Sequence, residues 1–220
     1  MNKFDHIVFC ANTLDIGIEY IQDMLKVRVP KGGQHIKMGT HNAVMKFSDD
    51  CYFEIIAIDH DATAPSHPRW FNMDNANDRL AVTHRPRLIT WVVNTGDLEQ
   101  CRNQSVFPYP PGIEMSRKTQ DGELNWSITV PNDGSLPAGG LLPTLIQWHH
   151  QGPHPAANMP DLGCKLTKLS LHHPNRSWLE QQLSAIHCLD MVELIKLPDN
   201  ANPLIEAHIE TPNSTAILTS

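Results

Sequence analysis

Two side chains in this sequence carry chemistry into apolar surroundings. His6 is followed by Ile7, Val8 and Phe9, and Glu54 sits inside Tyr52-Phe53-Glu54-Ile55-Ile56. Runs of this kind become buried strands, and a carboxylate buried alone costs several kcal/mol. The pair therefore needs each other, a ligand or solvent. An imidazole nitrogen and a carboxylate oxygen suit a divalent metal such as Zn, Fe, Mn or Ni. They equally suit a general base and the group that orients it. The plainer alternative is a hydrogen-bonded pair that satisfies only itself.

Other residues extend the set. His41 follows Gly39-Thr40 at a strand start. It can complete a two-His-one-carboxylate metal set with His6 and Glu54. It can also serve as the base in place of Glu54, bind substrate, or cap the strand end. Arg117 offers the planar fork that recognises carboxylates and phosphates, or it is an ordinary surface arginine. Trp91 and Trp148, with Trp126, are candidates to line a substrate pocket, although aromatic residues in strands usually belong to a core. His149-His150 and His154 resemble a ligand cluster, but they lie in a Pro/Gly stretch and read as a solvated turn. His172-His173, ahead of Pro174, read the same way. Cys10 and Cys51 lack a base at telling spacing and are expected to be core thiols. No GxSxG elbow, P-loop or GxGxxG is present, which disfavours hydrolase, nucleotide and dinucleotide functions.

The elements that must hold these residues repeat three times. Strands at 4–10, 88–93 and 166–171 are each followed by a helix, at 13–26, around Leu98, and at 177–187. Leu14, Ile18, Ile21 and Leu25 share one helical face, and Thr13 is placed to cap it. Ser177 and Glu180 have capping-box spacing. Strand-like runs follow at 41–47 and 51–58, then 113–118, 124–130 and 144–148, then 191–197, 204–209 and 216–218. Each unit reads as βαβββ. The Pro-, His- and Asn-rich stretch 60–86 reads as a long ordered loop, with Pro68-Arg69-Trp70-Phe71 as an apolar anchor; loops of that length are often lids. The stretch 149–163 is a second linker.

Composition bounds the class. The chain has 220 residues, a formal charge of -7 and 40% hydrophobic residues. That charge, with no Lys/Arg cluster, argues against nucleic acid as a partner. No apolar run reaches membrane-spanning length. Five cysteines without a CxxC pair fit a reducing compartment, hence the cytoplasm.

Taken in order, further motifs join these: Gly32-Gly33-Gln34-His35, Gly39-Thr40-His41-Asn42-Ala43, Arg87-Leu88-Ile89-Thr90-Trp91, Ser116-Arg117 with Asp121-Gly122, Gly139-Gly140-Leu141, Ile146-Gln147-Trp148 and His154-Pro155-Ala156. With the His6, Glu54 and Trp70 runs, the ordered set resembles the glyoxalase-like domain family of the vicinal-oxygen-chelate superfamily. The resemblance implies an α+β fold in which paired βαβββ modules form a half-open, curled mixed sheet. Here that means modules at 1–59 and 87–150, joined by the loop 60–86, and a third βαβββ-type module at 164–220. It implies a small-molecule pocket with His6 and Glu54 projecting inward as metal ligands, and a metal-assisted lyase, isomerase or dioxygenase-like enzyme. The counterparts in module two are Thr90 and either Ile146 or Gln147, which are poor ligands, although Gln147 can add an amide oxygen. That leaves a metal-free binding or resistance protein of the same fold as the alternative. Three modules where the superfamily pairs them in twos imply that the third packs on the pair or seeks a twin in a homodimer.

Overall fold

A computed structural model describes residues 2–119, 122–149 and 152–220; Asp121 and His150 lie outside the described residues. The elements run β1 (Lys3–Cys10), α1 (Leu14–Leu25), β2 (Lys31–His35), β3 (Thr40–Ser48), β4 (Cys51–Ile58), α2 (Ala76–His84), β5 (Arg87–Asn94), α3 (Leu98–Gln104), β6 (Gly112–Thr119), β7 (Gly122–Thr129), β8 (Thr144–Trp148), β9 (Lys165–His173), α4 (Arg176–Ala185), β10 (Glu193–Lys196), β11 (Leu204–Glu210) and β12 (Thr215–Thr219). An α+β fold with a curled mixed sheet is what the sequence led us to expect.

Helix α1 forms where its apolar spacing places it. The Thr13 hydroxyl accepts from the Ile16 amide, and Leu14, Ile18, Ile21 and Leu25 are buried. Burying each of these side chains contributes about 1.5–3 kcal/mol. Helix α4 is capped differently from the expected box. Asn175, not Ser177, accepts from the Trp178 amide, so the helix starts earlier, at Arg176. Two elements were not foreseen. The stretch 60–86 contains α2, whose cap Asn75 accepts from the amides of Asn77 and Asp78. Its weak apolar pattern hid it. Strand β2 is hidden by its two glycines.

Eight strands form one sheet in the order β2-β3-β4-β1-β5-β8-β7-β6. In the first half β1 runs parallel to β4; in the second β5 runs parallel to β8. Strands β1 and β5 pair antiparallel and join the halves. The sheet curls until its edge strands approach: Lys37 Nζ donates to the Glu114 carbonyl at 3.0 Å. A Cβ on Gly33 would lie 2.9 Å from Arg117 Cδ. The curl leaves a convex outer face and a concave bowl.

The third unit has the element order β-α-β-β-β but not the pairing of the other two. Its sheet is ordered β10-β9-β11-β12, with β10 parallel to β9 directly. Met191 belongs to the turn before β10 rather than to the strand. Its apolar face, with Leu169, Leu171, Ile205, Ala207 and Ile209, joins α1, α4 and the outer face of the large sheet in one continuous core. The third unit thus buries its face within its own chain. Among the described residues no helix is long and apolar enough to cross a membrane.

Candidate functional site

The bowl face of the large sheet follows from strand alternation, interrupted by local register shifts, one of which falls at Asp5. Phe4 pairs with Val93 and His6 with Val92, so Asp5 is an extra residue in β1. Such a β-bulge turns two successive side chains to the same face. Asp5 and His6 therefore both point inward, while Phe4 and Ile7 join the outer core. Inside the bowl they meet Glu54 and Tyr52 from β4, Asn42 from β3, and Trp148 from β8.

Asp5 organises this group. It is fully buried. Its carboxylate accepts from His6 Nδ1 at 2.5 Å, Trp148 Nε1 at 2.9 Å and His154 Nε2 at 2.9 Å. Burial pushes the Asp5 carboxyl up, but the hydrogen bonds and charges of His154 and His6 outweigh it and hold it at about 2. An ionised Asp5 fixes the proton of His6 on Nδ1 and turns Nε2 toward the bowl. There Nε2 lies 3.5 Å from Tyr52 Oη and 3.6 Å from Glu54 Oε2. The Tyr52 ring stacks on His6 with centroids 4.2 Å apart. Burial, then the carboxylates of Asp5 and Glu54, keep the Tyr52 phenol protonated.

Glu54 is held from one side only. Its Oε1 accepts from Asn42 Nδ2 at 2.6 Å, and Asn42 Oδ1 accepts from the Gly33 amide at 2.9 Å. Oε2 accepts no hydrogen bond from the described residues. The Gly32-Gly33 pair makes this support possible, since a Cβ on Gly32 would lie 2.5 Å from Asn42 Oδ1. On the opposite wall Arg117 lines the same cavity, and its guanidinium makes no ion pair with a described residue.

The cavity is small, about 40 Å³. That is room for little more than a water molecule. Aromatic side chains fill the rest: Trp70, Phe71, Trp126 and Trp148, with Met159 and Pro155 at the rim. The Trp70 Nε1 donor is buried without an acceptor among the described residues. His35 is edge-on to Trp70 and Trp126 and shares a hydrogen bond with Thr40 Oγ1 at 3.1 Å. Burial first, then the charge of Arg117, pushes its pKa down to about 3, so it stays neutral.

The structure brings together His6, Glu54, Arg117 and Trp148 of the expected site. It leaves three others outside. His41 shares the alternation of Ala43 and Met45, on the outer face, with Nδ1 3.9 Å from Asp59 Oδ2. Trp91 is fully buried in the outer core, stacked on Phe4, with Nε1 donating to the Leu141 carbonyl at 3.1 Å. Gln147 also faces outward and accepts from the Leu98 amide at 2.8 Å. In each case a one-residue alternation decides the face. His154 is no solvated turn: its side chain is 10% exposed and bound to Asp5. His149 shares a 2.6 Å hydrogen bond with Ser127 Oγ. His172 and His173 end strand β9 rather than forming a turn. Asp5 was missed, although two adjacent polar residues in an apolar strand are the signature of a bulge.

The residues do not fit a protein-held metal centre. His6 and Glu54 face the bowl, but His41 is behind the sheet, Ile146 is apolar, and Thr90 Oγ1 is committed to the Gly140 carbonyl at 3.3 Å. Among the described residues no group of three His, Cys, Asp or Glu side chains is arranged so that it could hold a metal ion.

Comparison with known proteins fits this architecture. The sequence profile described as a glyoxalase-like domain matches residues 4–187. No curated protein matches the sequence. A hypothetical protein from Staphylococcus aureus shares 17% identity, with 100% of this chain and 85% of that one covered and a TM-score of 0.60. Methylmalonyl-CoA epimerase from Mycobacterium tuberculosis shares 15% identity over 68% of this chain and 88% of its own, with a TM-score of 0.41. A mutant 4-hydroxymandelate synthase from Streptomyces coelicolor shares 14% identity over 100% of this chain and 63% of its own, with a TM-score of 0.46.

Proposed function

The chain belongs to the glyoxalase-like domain family of the vicinal-oxygen-chelate superfamily, and on that premise we propose that the bowl is a proton-transfer site for a small anionic carbonyl compound. The reaction class is isomerisation or lysis beginning with removal of a proton next to a carbonyl. One observation carries the proposal: Glu54 Oε2 accepts no hydrogen bond from the described residues and stands 3.6 Å from a His6 Nε2 oriented by a buried carboxylate. Buried carboxylates and imidazoles are costly, and such clusters gather at functional sites.

The roles follow from geometry. Glu54, held through Oε1 by Asn42, takes the proton on Oε2. His6 in its imidazolium form, with Nδ1–H bound by Asp5, donates the Nε2 proton to the substrate oxygen as Glu54 takes the carbon-bound one, and recovers it when the carbon is reprotonated. The Arg117 guanidinium, which makes no ion pair with a described residue, binds the anionic group. Phe71 and Met159 must move to admit a substrate, since the closed cavity holds little more than water. No step is assigned to a metal, because the donor set does not hold one.

The test is exchange of carbon-bound protons with solvent. Wild-type protein dialysed against a chelator is incubated in D₂O with 2-oxo acids of three to six carbons and followed by proton NMR. Catalysed exchange is expected, reduced about 100-fold or more by Glu54→Gln. No exchange above the uncatalysed rate across the panel refutes the proposal. The alternative, a metal-free binding or resistance protein, is favoured by the aromatic filling of the cavity. It predicts a ligand held without exchange and an affinity that Glu54→Gln leaves unchanged.

A further inference from the structure

A second cavity lies at the far end of the bowl floor, and nothing described so far uses it. It measures about 270 Å³. That is close to the ~300 Å³ at which small-molecule pockets begin. Its floor is the end of β1 at Cys10 and the start of β5 at Arg87–Ile89; α2 and the 71–73 segment form one wall, and Leu204 and Ile205 of the second sheet another. Phe71 borders both cavities, so the Trp70–Phe71 pair partitions the bowl.

Two features set this cavity apart from a packing gap. The first is charge. Arg79 and Arg87 line it, and neither guanidinium has an ion pair or side-chain hydrogen bond among the described residues. The one acidic side chain in the wall, Asp78, is engaged by the Asn72 amide. The remaining lining is largely apolar: Met73, Val82, Leu88, Ile89, Leu136 and Leu141. The second is backbone strain. Phe71, Asn72 and Ala138 have φ of 55, 59 and 48, three of the five non-glycine residues in the left-handed region among the described residues. All three line this cavity. Such conformations cost free energy and gather at ligand-binding sites.

We propose that this cavity binds an amphipathic carboxylate, its acid group on Arg87 and Arg79 and its apolar chain along Val82, Leu136 and Leu204. The site is separate from the His6–Glu54 chemistry and stands whether or not that chemistry is confirmed.

Isothermal titration of the full chain with octanoate tests it. Saturable binding is expected in wild type and in Glu54→Gln alike. Arg87→Gln is expected to weaken octanoate about tenfold, the effect of losing one charge-assisted hydrogen bond. Leu204→Trp, which fills the chamber from the second sheet, is expected to abolish binding. Octan-1-ol is expected to bind more weakly than octanoate. The proposal is overturned if wild type does not bind octanoate, or if folded Arg87→Gln and Leu204→Trp both bind as wild type. It is also overturned if octan-1-ol binds as well as octanoate, or if Glu54→Gln removes binding.

Discussion

Replacing Asp5 by Asn tests the centre of the bowl most directly. Three donors converge on this carboxylate, at 2.5, 2.9 and 2.9 Å. An asparagine keeps one acceptor oxygen and puts an N–H₂ group where the carboxylate accepted, so at least one of the three donors is orphaned. Breaking a buried charged cluster from one side costs about 3–5 kcal/mol. The pH dependence supplies a second, independent figure. The Asp5 carboxyl is held at about 2 against an ordinary 3.8. At about 1.36 kcal/mol per pH unit, that difference contributes about 2.5 kcal/mol to folding. Because the folded value is depressed, the contribution is complete above pH ~4–5 and disappears as pH falls toward 2. Urea unfolding at pH 6 is therefore expected to show Asp5→Asn destabilised by about 3–5 kcal/mol. The gap should shrink by roughly half by pH 2–3 as the wild type loses the carboxylate's share. A gap below about 1 kcal/mol at pH 6 would contradict the hydrogen-bond account. A gap that stays constant with pH would contradict the electrostatic one.

Two glycine substitutions test the scaffold. At Gly17 an added Cβ would lie 2.6 Å from Ile55 Cγ2 and 2.8 Å from Ala11 Cβ. The overpacking cost of about 1–3 kcal/mol exceeds the ~1 kcal/mol gain in helix propensity, so Gly17→Ala is expected to lower Tm; an unchanged or raised Tm refutes the close packing of α1 on β4. At Gly140, φ is +94 and a Cβ would lie 2.0 Å from the Ile89 carbonyl oxygen. Gly140→Ala is expected to cost about 3 kcal/mol or more by urea unfolding, and a neutral result refutes the backbone contact between that turn and β5.

Much of the fold was legible because periodicity reports burial. The spacing of Leu14, Ile18, Ile21 and Leu25 placed α1, and alternating apolar runs placed most of the strands. Helix α2 was not legible, since its one buried residue, Val82, leaves no stripe to read. Strand β2 was hidden because its glycines serve Asn42 and Arg117 rather than a core. The pairing of the third unit was equally invisible, because element order does not fix which strand a crossover lands beside. Within the site, His6 and Glu54 announced themselves as polar residues in apolar strands. His41, Trp91 and Gln147 have the right chemistry but the wrong parity, and parity is settled by register. His154 was hidden because its partner is 149 residues away. A Pro/Gly composition says nothing of long-range contacts.

The bulge in β1 has a consequence for how such a bowl can change. Pairing on either side of Asp5 is regular, with Phe4 opposite Val93 and His6 opposite Val92. Deleting Asp5 would restore simple alternation and leave His6 still facing inward. A single inserted codon thus separates a bowl with an unanchored imidazole from one whose imidazole has a fixed tautomer. Mutation could add or remove this device without re-registering a strand, so Asp5 is where a lineage of such bowls could acquire or lose it in one step.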